Sequence, residues 1–143
     1  MSEANKAVVN RVFEECLTKG NLQVLNEIVA NNYSYHEPTV GNVNGRDGLQ
    51  QLVMQYRTAF PDLQMKINQQ FADGDTVITH WTATGTHRGE LFGVRPTNKR
   101  ITCDGIVITR LQNGKIVEDH EQWDVFGCLR QLGAIPASVK IAA

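Results

Sequence analysis

A chain of 143 residues and 16.0 kDa has room for one domain with a real core and is short for two. Its 41% hydrophobic and 20% charged residues exclude a disordered or low-complexity polymer. Fourteen basic against fifteen acidic side chains leave a formal charge of −1 with no dense Lys/Arg cluster, so neither nucleic acid nor a membrane surface is an expected partner.

The chain opens with charges spread through Met1–Gly20, without the apolar core of a signal peptide, and holds no apolar run of membrane-spanning length. A cytoplasmic protein is the expectation, as one domain over residues 1–143. Apolar residues at Val8, Val9, Val12, Phe13, Cys16 and Leu17 repeat with helical spacing, Ser2 is a candidate cap, and Gly20 is a stop. A short helix follows from Asn21 through Leu22, Leu25, Ile28 and Val29. Tyr33–His36 reads as a strand stopped by Glu37-Pro38, and Gly41–Gly45 as a loop. Leu49, Leu52, Val53, Tyr56 and Phe60 mark an amphipathic helix from Arg46 to about Phe60, with Pro61 at its exit.

Beyond Pro61 the pattern turns to β. Leu63–Ile67 alternates, with Phe71 slightly out of phase, and Asp73-Gly74-Asp75 is a turn. Thr76–Thr86 is rich in strand formers, Gly85–Pro96 is an excursion full of breakers, and Arg100–Leu111 is a third strand. Asn113-Gly114 is a hairpin signal that pairs this strand with Lys115–Asp124. A last short helix carries Phe126, Leu129 and Leu132 and stops at Gly133. Helices followed by strands predict an α+β fold, with helices on one face of a mainly antiparallel sheet.

Residues that could carry chemistry concentrate after the hairpin turn. Strand alternation places Glu118, His120, Gln122 and Asp124 in one row, a set of groups costly to bury unless satisfied or used. The other face holds Val117 and Trp123 but also Asp119 and Glu121, so neither face reads as a dry core. Arg110 stands nearly opposite Glu118 and serves either a cross-hairpin ion pair or a clamp on a substrate oxygen. Asp104 shares a face with Ile106, Ile108 and Arg110, near the pocket or the sheet end. His36 is a candidate for the pocket rim or a strand end, while Trp81 and Phe92 are core or pocket wall. His80, His87 and His120 are too dispersed to suggest a metal, and no metal or cofactor is expected. Cys16, Cys103 and Cys128 form no CxxC pair and read as buried structural thiols.

Several motifs then fall in order. Ala59-Phe60-Pro61-Asp62-Leu63, Gly85-Thr86-His87-Arg88-Gly89, Pro96-Thr97-Asn98-Lys99, Gly114–Glu118, Asp124 and Gln131-Leu132-Gly133 have the spacing of the SnoaL-like polyketide cyclases, and His36-Glu37-Pro38 is similar to that family's His-Asp-Pro. The resemblance runs from about Ala4 to Gly133. It implies an NTF2-like cone, in which helices close a curved sheet around a deep pocket, and a homodimer formed through the sheet. It also implies intramolecular aldol closure of a polyketide ester without cofactor or metal. The family's acid/base aspartate, in a Glu-x-Trp-x-x-x-Asp pattern, maps onto Asp124. His120 stands where that pattern has Trp, and Asp119 where His is frequent, so an apolar wall becomes a titratable one.

The residues so far support acid–base chemistry on a small hydrophobic carbonyl compound, with Asp124 as acid/base, His120 assisting, and Arg110 or His36 holding an oxygen. A carboxylate in an apolar pocket can be raised towards neutrality and serve both proton transfers. Two other readings stand beside it. One is hydrolysis of the epoxide-opening kind, which needs Asp-Arg-Asp, although Asp104 and Arg110 lie about 20 Å apart along an extended strand. The other is a non-catalytic pocket that carries a small apolar molecule.

Overall fold

The structure, a computed structural model, describes residues 2–140. Helix α1 (Ser2–Arg11) runs into a π-helical segment, Val12–Thr18, so the expected first helix widens in its second half. Ser2 is already helical rather than a cap. The wide segment ends at Gly20 with φ 77°, and Arg57 donates to the carbonyls of Leu17 and Thr18, which have no helical partner. Helix α2 (Val24–Ile28) follows, and Val29, expected at its end, instead begins strand β1 (Val29–Glu37).

The stretch expected as a loop at Gly41–Gly45 contains a short strand, β2 (Gly41–Asn44), which pairs antiparallel with β1. Pairing with the edge of β1 satisfies its backbone where its own composition gives no strand signal. Helix α3 (Gly45–Ala59) ends before Pro61 as its pattern requires. Strands β3 (Gln64–Asp73), β4 (Thr76–Thr86), β5 (Arg100–Gln112) and β6 (Lys115–Trp123) then form a meander, and helix α4 (Val125–Gln131) closes the fold. A register shift between Ile67 and Gln69 explains the phase of Phe71, which lands on the outer face, 62% exposed.

The sheet order is β2-β1-β6-β5-β4-β3, with β1 and β6 parallel and every other pair antiparallel. The helices pack on one face of this curved sheet, an NTF2-like α+β arrangement. Their apolar stripes, including Val9, Phe13, Leu25, Leu52 and Val53, meet Tyr33, Tyr35, Trp81, Val107 and Ile116 from the strands. A second cluster joins Phe60, Leu63, Leu91, Ile101, Cys103, Cys128 and Leu132. His87 is fully buried and accepts from the Thr97 backbone N–H, which pins the excursion between β4 and β5. Among the described residues no helix is long and apolar enough to cross a membrane.

Candidate functional site

Strand β5 settles which face is which. Ile101, Cys103, Gly105, Val107, Thr109 and Leu111 turn inward and are buried, while Asp104, Ile106, Ile108 and Arg110 turn outward. On β6 the alternation sends Asp119, Glu121 and Trp123 inward and Glu118, His120 and Gln122 outward, and a register shift brings Ile116 to the inner side beside Leu111. Inside, the helices do not fill the concave side of the sheet. An apolar cavity remains, walled by Phe13, Leu17, Leu52, Tyr56, Phe60, Met65, Trp81, Ile101 and Trp123 among others, and Asp119 and Glu121 project into it.

Each inward carboxylate is held by residues from other strands. The Tyr35 hydroxyl donates to Glu121 Oε1 at 2.6 Å, and Trp81 Nε1 donates to Oε2 at 2.9 Å. Asp119 accepts from the Tyr33 hydroxyl and from Thr109 Oγ1, each at 2.5 Å. Parallel pairing of β1 with β6 sets Tyr35 beside Asp119 in register, and Trp81 arrives from β4 across Gly105 of β5. Only glycine fits there: a Cβ on residue 105 would stand 2.5 Å from both Trp81 Cζ2 and Trp123 Cβ.

Burial dominates the protonation of this pair. It pushes the Glu121 carboxyl up to about 7, reinforced by the neighbouring Asp119 charge and opposed by the Tyr35 and Trp81 hydrogen bonds. Asp119 is raised too, by burial, against the hydrogen bonds from Thr109 and Tyr33. The surface these two residues still expose borders the cavity, so a low-dielectric setting and partial accessibility coexist. Tyr56 lines the same cavity, and its buried hydroxyl has no hydrogen-bond partner among the described residues. Burial and the Glu121 charge hold that phenol well above its ordinary range, so it stays a donor.

Of the residues singled out from sequence, only Trp81 reaches the cavity, while His36 and His120 meet on the opposite face. Trp81 is a cavity wall and touches Glu121 directly. Phe92, at φ 49° in the tight turn before Gly93, packs its ring 6.1 Å from Trp123 but does not line the cavity. Asp124 lies one residue beyond β6, out of the row with Glu118 and His120, because the strand ends at Trp123. Its exposed carboxylate caps α4 by accepting from the Gly127 N–H at 2.8 Å. His36, Asp104, Arg110 and His120 all stand on the outer face. There Arg110 pairs with Glu118 at 3.4 Å, directly opposite in register, and Asp104 lies 3.3 Å from His80. Cys103 and Cys128 are buried side by side on the cavity wall.

Sequence reasoning passed over Asp119, Glu121 and Tyr35. The usable signal is the mixed face Val117-Asp119-Glu121-Trp123, in which two carboxylates stand between apolar residues. A solvent-facing strand has no use for Trp123 and Val117, whereas a cavity wall uses both kinds.

Comparison with known proteins agrees with this architecture. The family described as SnoaL-like polyketide cyclase matches residues 7–132. A segment of 61 residues is 39% identical to the nogalonic acid methyl ester cyclase of Streptomyces nogalater, spanning 42% of this chain and 45% of that relative, under half the length of each. Among solved structures, IdmH of Streptomyces antibioticus, a candidate polyketide cyclase, is 27% identical with a TM-score of 0.80 over 90% of this chain and 98% of its own. A candidate SnoaL-like polyketide cyclase from Jannaschia sp. CCS1 shares the fold at 20% identity, with a TM-score of 0.87 over 94% of this chain and 95% of its own. With the family matched from the first helix to the last and the same cone of helices on a curved sheet, this chain belongs to the SnoaL-like polyketide cyclase family.

Proposed function

We propose that the chain is a cyclase or isomerase that moves protons on a small, largely apolar carbonyl compound held in the cavity, with Glu121 as the acid/base. The observation that carries this reading is a carboxyl at about 7 inside an apolar cavity, since a group titrating near the working pH can both take and return a proton. This reading moves the role from Asp124 and His120 to Glu121, because neither of the former lines the cavity.

The chemistry balances within substrate and carboxyl. Ionised Glu121 removes a proton from the carbon alpha to a carbonyl, and the C–H electron pair passes into an enolate. In an aldol closure the enolate carbon attacks a second carbonyl of the same molecule, forming a C–C bond and an alkoxide. The alkoxide then takes the proton back from Glu121, and no electron acceptor is consumed. Tyr35 and Trp81 occupy one lone pair on each carboxylate oxygen and fix its orientation, leaving lone pairs for the substrate. The Tyr56 hydroxyl, otherwise without a partner, is the donor for the enolate oxygen. The water-activating alternative loses ground because Asp104 and Arg110 face away from the cavity. We also read the chain as a homodimer through the outer sheet face, where Phe71, Ile78, Ile106 and Ile108 are exposed.

Nogalonic acid methyl ester, the compound for which the Streptomyces relative is named, is the first probe. Ring closure, or exchange of its alpha protons with deuterated solvent, should fall about 10²–10⁴-fold in Glu121→Gln with little change in KM. Asp124→Asn should stay near wild type, since Asn caps a helix as well as Asp does. A fully active Glu121→Gln beside an inactive Asp124→Asn would return the role to Asp124. Equal binding by wild type and Glu121→Gln, with turnover by neither, would favour a carrier.

A further inference from the structure

On the face opposite the cavity, three side chains from two strands converge on one point. His36 Nε2 lies 3.2 Å from Glu118 Oε2, and His120 Nε2 lies 3.5 Å from the same oxygen. All three potential ligand atoms fall within 4.8 Å of one another. We propose that His36, Glu118 and His120 form a binding site for a first-row divalent transition-metal ion, with Zn²⁺ as its best-matched occupant.

The distances fit the edges of a metal site as well as an ion pair. Ligands about 2.0–2.1 Å from a tetrahedral Zn²⁺ stand about 3.3 Å from one another. Both nitrogen-to-oxygen separations are already within about 0.2 Å of that edge. Two imidazoles with one carboxylate oxygen are a borderline donor set suited to zinc, copper, nickel or iron, and unsuited to calcium or magnesium. The two rings stack at 4.5 Å with 19° between their planes, so their Nε2 atoms point the same way, towards Glu118. Convergence on an ion needs the two nitrogens to close to about 3.3 Å. His120, with its side chain 57% exposed, can make that turn by giving up its stack on His36.

The surroundings orient each ligand. Asn42 Oδ1 lies 2.8 Å from His36 Nδ1, and an amide oxygen there matches a proton on Nδ1, the tautomer that frees Nε2 for a metal. Fixing the far nitrogen of a ligating histidine is the usual device of metal sites. Arg110 takes Glu118 Oε1 at 3.4 Å, which leaves Oε2 alone to face the imidazoles as a monodentate ligand. With three protein ligands, a fourth position stays open to water or another donor.

Spacing along the chain hides this set, because His36 and His120 are 84 positions apart. Parallel pairing of β1 with β6 puts them in direct register, and alternation on β6 brings Glu118 to the same face.

The test is titration of untagged, chelator-stripped protein with ZnCl₂ by calorimetry, and with Co²⁺ by visible absorption. The expected result is one ion per chain and the intense visible bands of four-coordinate Co²⁺. His36→Ala, His120→Ala and Glu118→Gln should each weaken binding at least tenfold, and Asn42→Ala about tenfold with all three ligands still present. Absence of stoichiometric binding to wild type overturns the site. So does binding that survives the combined His36→Ala/His120→Ala change, which would assign the ion to the cysteines. Because the site lies outside the cavity, this result is independent of the role of Glu121.

Discussion

At Glu121 the proposed acid/base role and the stability of the fold depend on the same proton. Folding takes its carboxyl from an ordinary value of 4.5 to about 7, so across that window the folded state holds a proton that the unfolded chain has released. The stabilisation from that retained proton is complete below about 4.5 and disappears as pH rises through about 7, so stability falls with rising pH. The displacement corresponds to at most about 3 kcal/mol. Denaturant titrations at pH 5 and 7.5 should show wild type losing stability over Glu121→Gln by up to that amount, while any slope from Asp119, whose carboxyl is also raised by burial, is common to both. Parallel slopes would mean that Glu121 is ionised in the cavity throughout. The same titration sets the rate: turnover by an ionised base should rise with pH and reach half its plateau near 7. Asp124 contributes to stability as a helix cap. Asp124→Ala strips the Gly127 N–H of its acceptor and should cost about 1 kcal/mol, and Asp124→Asn should recover most of it.

Among the elements, the β5–β6 hairpin carries most of the information and most of the ambiguity. Asn113 and Gly114 adopt φ of 52° and 76°, the left-handed pair that a two-residue hairpin turn requires, so turn and register were readable from two letters. The direction of each face was not. Ile106 and Ile108 lie outside while Gly105 and Thr109 lie inside, the reverse of what hydrophobicity alone assigns. An inward Gly105 is instead a space requirement of the Trp81–Trp123 pair. Gly105→Ala should destabilise by about 1–3 kcal/mol, read as a lower denaturant midpoint, and should alter near-ultraviolet dichroism as Trp81 shifts off Glu121. An unchanged midpoint would show that the two indoles have slack. The short strand β2 escaped the sequence for a different reason: its order comes from the edge of β1 rather than from its own residues.

For the whole molecule, the same sheet presents a concave side lined by a cavity and a convex side with an unusual mixture of groups. Phe71, Ile78 and Ile108 follow one another across β3, β4 and β5 in register, a continuous apolar diagonal on the convex face. A homodimer burying it should sediment as such at micromolar concentration, and Ile108→Asp should yield a folded monomer. A wild type that is monomeric there would leave the diagonal without a second copy. The order of elements, the helix stops at Gly20 and Pro61, the hairpin and the ordered family motifs were all set by local chain chemistry, and so the sequence by itself determined the α+β class and the family. It also narrowed the chemistry to the last strand, since polar groups crowd there at every second position on both faces. Tertiary structure decided which of those positions face the cavity. Curvature of the sheet and the incomplete filling of its concave side turned Asp119 and Glu121 inward, and the end of β6 at Trp123 turned Asp124 into a helix cap. Alternation along a strand says which residues share a face, but only what packs against the strand says which face is dry, and that partner is supplied by residues far away in the chain.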